Sequence, residues 1–323
     1  MKTRKLGSTD LNLTTVGLGT WAIGGPWQYG WGPQDDGEAV AGILAALDAG
    51  INWIDTAPAY GLGHSEELVG QALRQTKHKP HIATKCGILW NERKEKVVHL
   101  KRDSIRRECL ASLKRLGVER IDLYQMHWPD PPQDIEEAWE EMVRLADEGK
   151  VRYLGVCNFN VEQIERIGKI RPISSLQPPY SMLRREVERE LLGYCAGHKI
   201  GVVAYSPMQR GLLTGKFSHE RLAALAPDDH RKRMPEFQDP QFSATLELVE
   251  GLTKIAGRSG RTCAQLAISW VLRRPEVTAA IVGARRPSQI TETAPAADWS
   301  LSKEDIDEIE KLLAEREQKF AGR

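Results

Sequence analysis

The chain has 323 residues, and its 45 Lys and Arg residues nearly balance its 44 Asp and Glu residues, giving a formal net charge of +1 at neutral pH. That balance excludes the strongly basic surface by which many proteins bind nucleic acids or anionic membranes. Hydrophobic residues make up 41% of the chain and charged residues 28%, which is typical of a globular protein and not of a disordered chain.

Eight short apolar runs, many of them rich in β-branched residues, recur along the chain and predict strands. They cover residues 15–20, 51–55, 81–85, 121–127, 151–157, 173–177, 201–206 and 279–283. Most of these runs are continuous and do not alternate with polar residues. This pattern is typical of strands that are buried on both faces of a parallel sheet.

Apolar residues at helical spacing lie between these runs, beginning with Val40, Ile43 and Leu47. Four of the patterns are followed by a glycine that is suited to end a helix. These glycines are Gly50, Gly117, Gly149 and Gly257. Near the end of the chain, Ser302 and Asp305 predict a capping box before a last helix.

Strands and helices therefore alternate, and eight units favour a single (β/α)8 TIM barrel that spans residues 1–323. The competing doubly wound sheet would place the motif G-x-G-x-x-G between the first strand and a helix. The first strand instead ends in Gly17-Leu18-Gly19-Thr20-Trp21 and leads into a loop. Residues 2–14 hold a turn cluster between two strand-like pieces, which predicts an N-terminal β-hairpin that closes one end of the barrel.

Residues 218–242 are polar, contain three prolines and include the basic run His230-Arg231-Lys232-Arg233. The favoured interpretation is a solvated surface loop, and the alternative is a mobile lid over a binding site. The sequence leaves both interpretations open.

Targeting and metal-binding signals are missing from the sequence. The basic residues 1–5 lead into no apolar stretch, and no apolar run approaches the length of a membrane span, so we expect neither a secretory signal nor a membrane partner. The cysteines are scattered without a C-x-x-C motif, which predicts reduced thiols, a cytoplasmic location and no structural zinc. They are Cys86, Cys109, Cys157, Cys195 and Cys263.

Polar residues end three of the predicted strands, where a barrel of this kind places its active site. Asp55, Lys85 and His127 occupy these positions, and Tyr60 follows Asp55 in a loop that is rich in Pro and Gly. Because consecutive strands are usually neighbours, we expect the four side chains to converge at one rim.

The chemistry of these four residues is complementary. A tyrosine has an ordinary pKa of about 10, and a nearby ammonium lowers that pKa because it stabilises the phenolate. A carboxylate beside the lysine offsets the cost of burying the ammonium. A histidine can donate a hydrogen bond to a substrate oxygen and orient it. The set predicts a proton donor aimed at a carbonyl oxygen that becomes an alkoxide.

The segment 54–61, Ile-Asp-Thr-Ala-Pro-Ala-Tyr-Gly, together with Lys85, His127 and the segment 155–159, resembles the aldo-keto reductases. The resemblance extends from about Leu6 to about Glu292. It implies reversible reduction of an aldehyde or ketone by NADPH, with no metal, in an extended cofactor site at the mouth of a barrel. In such a site Tyr60 would be the general acid, Lys85 and Asp55 would tune it, and His127 would orient the carbonyl.

The resemblance also implies a set of cofactor contacts. Asn158 and Gln177 would bind the nicotinamide carboxamide, and Tyr205 would stack on the nicotinamide ring. The residues of the diphosphate-binding loop would be Ser206, Pro207, Met208, Gly211 and Leu212, with a further charge from Lys216. Gln289 and Glu292 would contact the adenosine end.

The sequence departs from the family pattern at the site of the 2′-phosphate, where Gly283 and Gln289 replace a lysine and an arginine. Arg285 and Arg286 are candidate replacements, since guanidinium pairs well with phosphate. We therefore predict a preference for NADPH, with NADH possible; two solvated arginines without this role are the alternative. Cys157 also stands where a serine is common, and the sequence gives it no reactive environment.

Tryptophans near the strand ends indicate an aromatic-walled substrate pocket. Trp21 and Trp128 are the favoured pocket residues because they follow strand ends directly, whereas Trp27, Trp31 and Trp90 fit a pocket and ordinary loop packing equally well. The sequence does not identify the carbonyl substrate, the physiological direction or the oligomeric state.

A different class of function stays open as the alternative. Potassium-channel β subunits resemble this family and act as regulatory partners that sense nicotinamide redox state. We expect an enzyme instead, because the chain has no long N-terminal extension that could block a channel. A metal-dependent barrel hydrolase is not expected, because no His and carboxylate ligands cluster at the strand ends.

Overall fold

Eight parallel strands close into a barrel in the computed structural model, which describes residues 1–320. The strands of the chain are β1 (Thr3–Lys5), β2 (Asn12–Thr14), β3 (Val16–Gly19), β4 (Trp53–Asp55), β5 (His81–Cys86), β6 (Ile88–Trp90), β7 (Lys96–Val98), β8 (Ile121–Met126), β9 (Val151–Cys157), β10 (Ser175–Gln177), β11 (Gly201–Tyr205) and β12 (Val277–Gly283). The barrel runs in the order β3-β4-β5-β8-β9-β10-β11-β12, and β12 pairs with β3 to close it. All eight predicted strands are present, and the predicted barrel is confirmed.

Helices surround this barrel, and most of them bury apolar side chains in the same core cluster as the strands. They are α1 (Asp36–Asp48), α2 (His64–Gln75), α3 (Arg102–Leu116), α4 (Ile135–Asp147), α5 (Val161–Gly168), α6 (Leu191–Gly197), α7 (His219–Ala223), α8 (Gln241–Arg258), α9 (Cys263–Leu272), α10 (Pro287–Thr293) and α11 (Lys303–Gln318). Every residue of α9 is buried, and a complete capping box of Thr262 and Gln265 begins it.

The predicted helix ends are confirmed in three places and wrong in one. Gly50, Gly117 and Gly149 follow α1, α3 and α4 with positive φ angles. Gly257 instead lies inside α8, and Gly260 is the glycine with positive φ after that helix.

The cap of α11 is simpler than predicted. Ser302 accepts a hydrogen bond from the backbone N–H of Asp305, as a capping residue does. The Asp305 carboxylate accepts from Arg258 of α8 at 2.9 Å, so it ties two helices together.

The N-terminal hairpin closes the bottom of the barrel, as the sequence predicts. β1 and β2 pair antiparallel, with Thr3 opposite Thr14. Leu6, Leu11 and Leu13 are buried in a cluster that contains Trp53 and side chains of the other barrel strands. This apolar plug fills the end of the barrel opposite to the candidate site.

Two features of the upper rim differ from the prediction or are missing from it. A second hairpin, β6 and β7, follows β5 directly and was not predicted. Residues 218–242 are not simply a solvated loop, because His230, Arg231 and Phe237 are buried. The burial corrects that interpretation for the central part of the segment, where short 3-10 turns cover residues 230–233 and 235–237.

We expect Gly17→Ala to destabilise the protein, because a Cβ at Gly17 would lie 2.0 Å from Cε2 of the buried Trp53. Overpacking of this kind costs about 1–3 kcal/mol or more. Gly193→Ala is the matched control, since Gly193 lies in α6 with open space around its Cα, and alanine there stabilises by up to about 1 kcal/mol. Urea denaturation of both variants measures the difference, and equal midpoints would contradict the proposed plug.

Candidate active site

The ends of three barrel strands and one neighbouring loop place four polar side chains at the same rim of the barrel. Asp55 ends β4, Lys85 is the penultimate residue of β5, and His127 follows β8 directly. Tyr60 lies in the loop between β4 and α2. The structure brings all four together, as the positions of the strand ends predict.

The buried ammonium of Lys85 is the centre of the site. It donates to Asp55 Oδ2 at 2.7 Å, to the Thr56 carbonyl at 2.9 Å and to the Tyr60 hydroxyl oxygen at 3.0 Å. Since an ammonium has three N–H donors, these contacts use all of them. The position of the cation relative to the phenol is therefore fixed.

Two side-chain amides contact the second oxygen of Asp55, and a thiol contacts one of these amides. Gln177 Nε2 donates to Asp55 Oδ1 at 2.8 Å, and Gln125 Nε2 lies 3.5 Å from the same oxygen. Gln177 Nε2 also lies 3.3 Å from Gln125 Oε1, and Cys157 Sγ lies 3.8 Å from that atom. Sequence reasoning missed Gln125, whose signal is a polar side chain in β8 two residues before His127.

Burial sets the charge states of the site. Burial raises the pKa of Tyr60 above its ordinary value although the Lys85 ammonium opposes the shift. Burial alone would lower the pKa of Lys85, but the carboxylate of Asp55 outweighs it and raises that pKa. Burial and the charges of Lys85 and Lys96 hold the pKa of His127 well below its usual range. At neutral pH the site therefore contains a phenol, an ammonium and a neutral imidazole.

The raised pKa of Tyr60 differs from the expectation that lysine lowers it. The reason is that desolvation of a fully buried phenolate outweighs the attraction of one cation. Because Lys85 donates to the tyrosine oxygen, the tyrosine O–H is free to donate to another acceptor.

A cavity of about 310 Å³ opens beside this phenol. Trp21 stacks on Tyr60 with ring centroids 5.8 Å apart, and Trp128, which is 41% exposed, lies at the cavity wall. Trp27 and Trp31 also line the cavity. Trp90 is not among its lining residues.

Two rim segments meet beside this cavity. His230 also stacks on Trp21, with ring centroids 5.9 Å apart, and its Nδ1 lies 3.1 Å from the Gly30 carbonyl oxygen. The guanidinium of Arg231 lies 4.2 Å from the centre of the Trp31 ring. Residues 230 and 231 of the basic run therefore pack against the loop that follows β3 and stabilise it.

A second cavity of about 320 Å³ adjoins the first, and Met208, Arg210, Gly211 and Gly283 line both. The predicted cofactor residues fall along these two cavities. Those of the first cavity are Asn158, Gln177, Tyr205, Ser206, Pro207, Met208, Gly211 and Gly283. Those added by the second cavity are Lys216, Arg285, Gln289 and Glu292.

Leu212 is the exception among the predicted cofactor residues. Its side chain is buried in a cluster with Phe237 and Phe242 and lines neither of the two cavities. Lys216 and Glu292 form an ion pair with each other.

Several of the predicted cofactor residues form hydrogen bonds with other groups of the protein. Asn158 donates to the His127 carbonyl at 3.0 Å and accepts from the Tyr205 hydroxyl at 2.9 Å. Arg285 donates to Gln34 Oε1 at 2.6 Å and also to the carbonyls of Trp31 and Pro33. This arginine therefore anchors the loop after β3.

Residues 1–320 contain no group of three or more His, Cys, Asp or Glu side chains that could hold a metal ion. Among the helices of the same residues, none has the length and apolar character needed to cross a membrane.

Comparisons with known proteins agree with this geometry. The model of the aldo/keto reductase family matches residues 15–314. The chain is 40% identical over 316 residues to aldo-keto reductase YhdN of Bacillus subtilis, covering 97% of this chain and 94% of that protein. It is 35% identical over 318 residues to the NADH-specific methylglyoxal reductase of Escherichia coli, covering 94% and 96%.

Solved structures show the same similarity. The glycerol dehydrogenase AKR11B4 from Gluconobacter oxydans superposes with a TM-score of 0.89 at 40% identity, over 98% of this chain and 96% of that one. The aldo-keto reductase AKR11C1 from Bacillus halodurans has a TM-score of 0.77 at 28% identity, covering 97% and 96%.

The buried pair of Lys85 and Asp55 predicts a non-additive pair of substitutions. Lys85→Met leaves the carboxylate buried without its cation and should cost about 3–5 kcal/mol of folding stability. The double variant Lys85→Met/Asp55→Asn removes both charges and should regain most of that loss. Urea denaturation of the two single variants and the double variant gives the coupling energy, and additive losses would contradict a direct interaction.

Proposed function

The chain belongs to the aldo/keto reductase family, and from this premise we propose that it reduces aldehydes or ketones to alcohols with NADPH, using Tyr60 as the general acid. The observation that carries the proposal is the contact of 3.0 Å from the Lys85 ammonium to the Tyr60 hydroxyl oxygen. That contact leaves the tyrosine O–H free to donate beside the cavity. We propose that the whole chain, residues 1–323, acts as a single domain.

In the proposed reaction each of the four residues has a separate role. When it is bound, the nicotinamide supplies the hydride that adds to the carbonyl carbon. Tyr60 donates its proton to the carbonyl oxygen, and the ammonium of Lys85 stabilises the negative charge left on the phenol oxygen. His127, which is neutral, orients the carbonyl oxygen. Asp55 offsets the charge of Lys85 and keeps it in place.

The residues along the two cavities fit an extended dinucleotide. Gly283 lines both cavities, and a Cβ added there would meet nothing closer than the Gly19 carbonyl oxygen at 4.0 Å, so glycine keeps the passage open. The second cavity is rich in cations that suit phosphate groups. They are Arg210, Lys216, Arg221, Arg231, Arg285 and Arg286. We therefore propose that the nicotinamide occupies the first cavity and the adenosine end the second.

The preference for NADPH is a finer proposal. Arg285 is occupied by the loop after β3, whereas Arg286 lines the second cavity at the start of α10. We assign the main contact with the 2′-phosphate to Arg286, and a supporting one to Arg285. One relative is named as NADH-specific, so the test below compares both cofactors.

Small aldehydes are the proposed substrates, and methylglyoxal, named for one relative, is the first to assay. The aromatic wall around Tyr60 suits a compact, partly apolar molecule. We also propose a cytoplasmic location, which the five buried free cysteines support. The channel-regulating alternative is not favoured, because the relatives described above are named as reductases or a dehydrogenase.

Tyr60→Phe should lose about 100-fold or more of the reductase turnover, since a general acid contributes roughly that much. The binding of NADPH should persist, because the ring and its stacking on Trp21 are retained. Tyr29→Phe, which also removes one hydroxyl from the cavity wall, is the control and should keep its turnover. The absorbance of NADPH follows the reaction, and full activity of Tyr60→Phe would exclude Tyr60 as the acid.

Arg286→Ala should raise the KM for NADPH about tenfold and leave the KM for NADH nearly unchanged, because a charged hydrogen bond contributes roughly 1.5–3 kcal/mol. Arg285→Ala should weaken both cofactors, since it also frees the loop after β3, with the larger loss for NADPH. Steady-state kinetics with both cofactors give the ratio. Equal losses of the two cofactors in both variants would refute the arginine assignment.

A further inference from the structure

The substrate side of the cavity contains a cation that the proposed reaction does not use. Lys96 of β7 lines the same cavity as Tyr60 and His127. Its charge lowers the pKa of His127, so its ammonium is within electrostatic reach of the reacting centre. Within residues 1–320, the lysines that form ion pairs with carboxylates are Lys85, Lys101, Lys216, Lys311 and Lys319, and Lys96 is not among them.

The alternation of β7 explains why this lysine faces the site. Successive side chains of a strand point to opposite faces, so Lys96 and Val98 share one face and Val97 occupies the other. Val98 packs against the cluster that contains Tyr60 and Ile88, and Lys96 lines the cavity although it is exposed, as a residue at the cavity mouth can be. Lys96 therefore lies on the face of the hairpin that is turned towards the cavity.

The barrel order separates Lys96 from the proposed cofactor. The predicted cofactor residues follow β9, β10, β11 and β12 on one side of the mouth. Lys96 belongs to the hairpin of β6 and β7 that follows β5, next to the loops that hold Tyr60 and Trp128. Phosphates bound along the second cavity do not account for a cation at this place.

The charge of the cavity wall is one-sided. Its acidic lining residue is Asp55, which is buried and paired with Lys85. Arg210 is paired with Glu236 at 2.8 Å, and Lys96 and Arg184 add positive charge on the walls. A cleft with an excess of one charge raises the local concentration of ligands with the opposite charge.

A structural role for this residue is the competing explanation. Lysine on the edge of a short hairpin also discourages pairing with other strands. The hairpin is held without the Lys96 side chain, because Trp27 Nε1 donates to the Lys94 carbonyl at 3.1 Å and Asn91 bonds with Glu95. Removing the charge of Lys96 should therefore leave the fold in place.

Resting on the proposed function, we propose that Lys96 is a specificity-determining residue that selects carbonyl substrates carrying a carboxylate or another anionic group. The ammonium binds the anionic end while Tyr60 and His127 hold the carbonyl. Because the contact is the same in the ground state and the transition state, it lowers KM and leaves kcat nearly unchanged.

The experiment compares 4-carboxybenzaldehyde with its uncharged amide, 4-carbamoylbenzaldehyde, in the wild-type protein, in Lys96→Gln and in Lys94→Gln. Lys94 lies on the same hairpin and does not line the cavity, so it is the matched control for the loss of one charge. The measured quantity is kcat/KM for the carboxylate aldehyde divided by kcat/KM for the amide. The two aldehydes differ in intrinsic reactivity by the same factor in every variant, so a change in this ratio between variants reports on binding of the carboxylate.

We expect this ratio to fall about three- to tenfold in Lys96→Gln, through KM, and to stay unchanged in Lys94→Gln. The wild-type ratio should also fall as NaCl is added, since the pair is partly exposed to solvent. An unchanged ratio in Lys96→Gln, or an equal fall in both variants, would overturn the inference. If the wild-type protein reduced neither aldehyde nor methylglyoxal, the proposed function itself would be wrong.

Discussion

The buried ammonium of Lys85 is the constraint around which the rim of this barrel is arranged. Removing an ammonium from water costs several kcal/mol, so the protein must surround it with acceptors. Asp55 supplies the opposite charge, and the Thr56 carbonyl and the Tyr60 oxygen take the other two N–H groups. Gln177 then binds the second oxygen of Asp55. Each group in this chain accepts or donates a hydrogen bond that its neighbour needs, and these bonds fix the position of the phenol.

Different levels along the same barrel strands hold this polar cluster and the apolar plug below it. Trp53 and Asp55 are two residues apart on β4 and point into the barrel, one towards the plug and the other towards the rim. Ala83 and Lys85 repeat this relation on β5, and Leu123 and Gln125 repeat it on β8. Stability and chemistry are thus placed at opposite ends of the same short strands.

The sequence was most informative where the signal was local. Continuous apolar runs predicted the strands, and the polar residues that end them predicted Asp55, Lys85 and His127. It was less informative where burial depends on distant contacts. His230 looks like part of a basic surface run, but its burial rests on Trp21 and Gly30, about two hundred residues away along the chain. Gln125 was missed for the same reason, since its partners come from other strands.

A raised pKa of Tyr60 makes the phenol a weaker acid in the resting protein, and this suits the proposed reaction. A phenol with a low pKa would lose its proton to water before a substrate arrived. Once a hydride reaches the carbonyl carbon, the oxygen becomes an alkoxide, which is a much stronger base than a phenolate. In the proposed reaction the proton would then move to the substrate, and the new negative charge would form 3.0 Å from the ammonium of Lys85. In that reaction the cation would stabilise the transition state more than the resting phenol, which is the condition for catalysis.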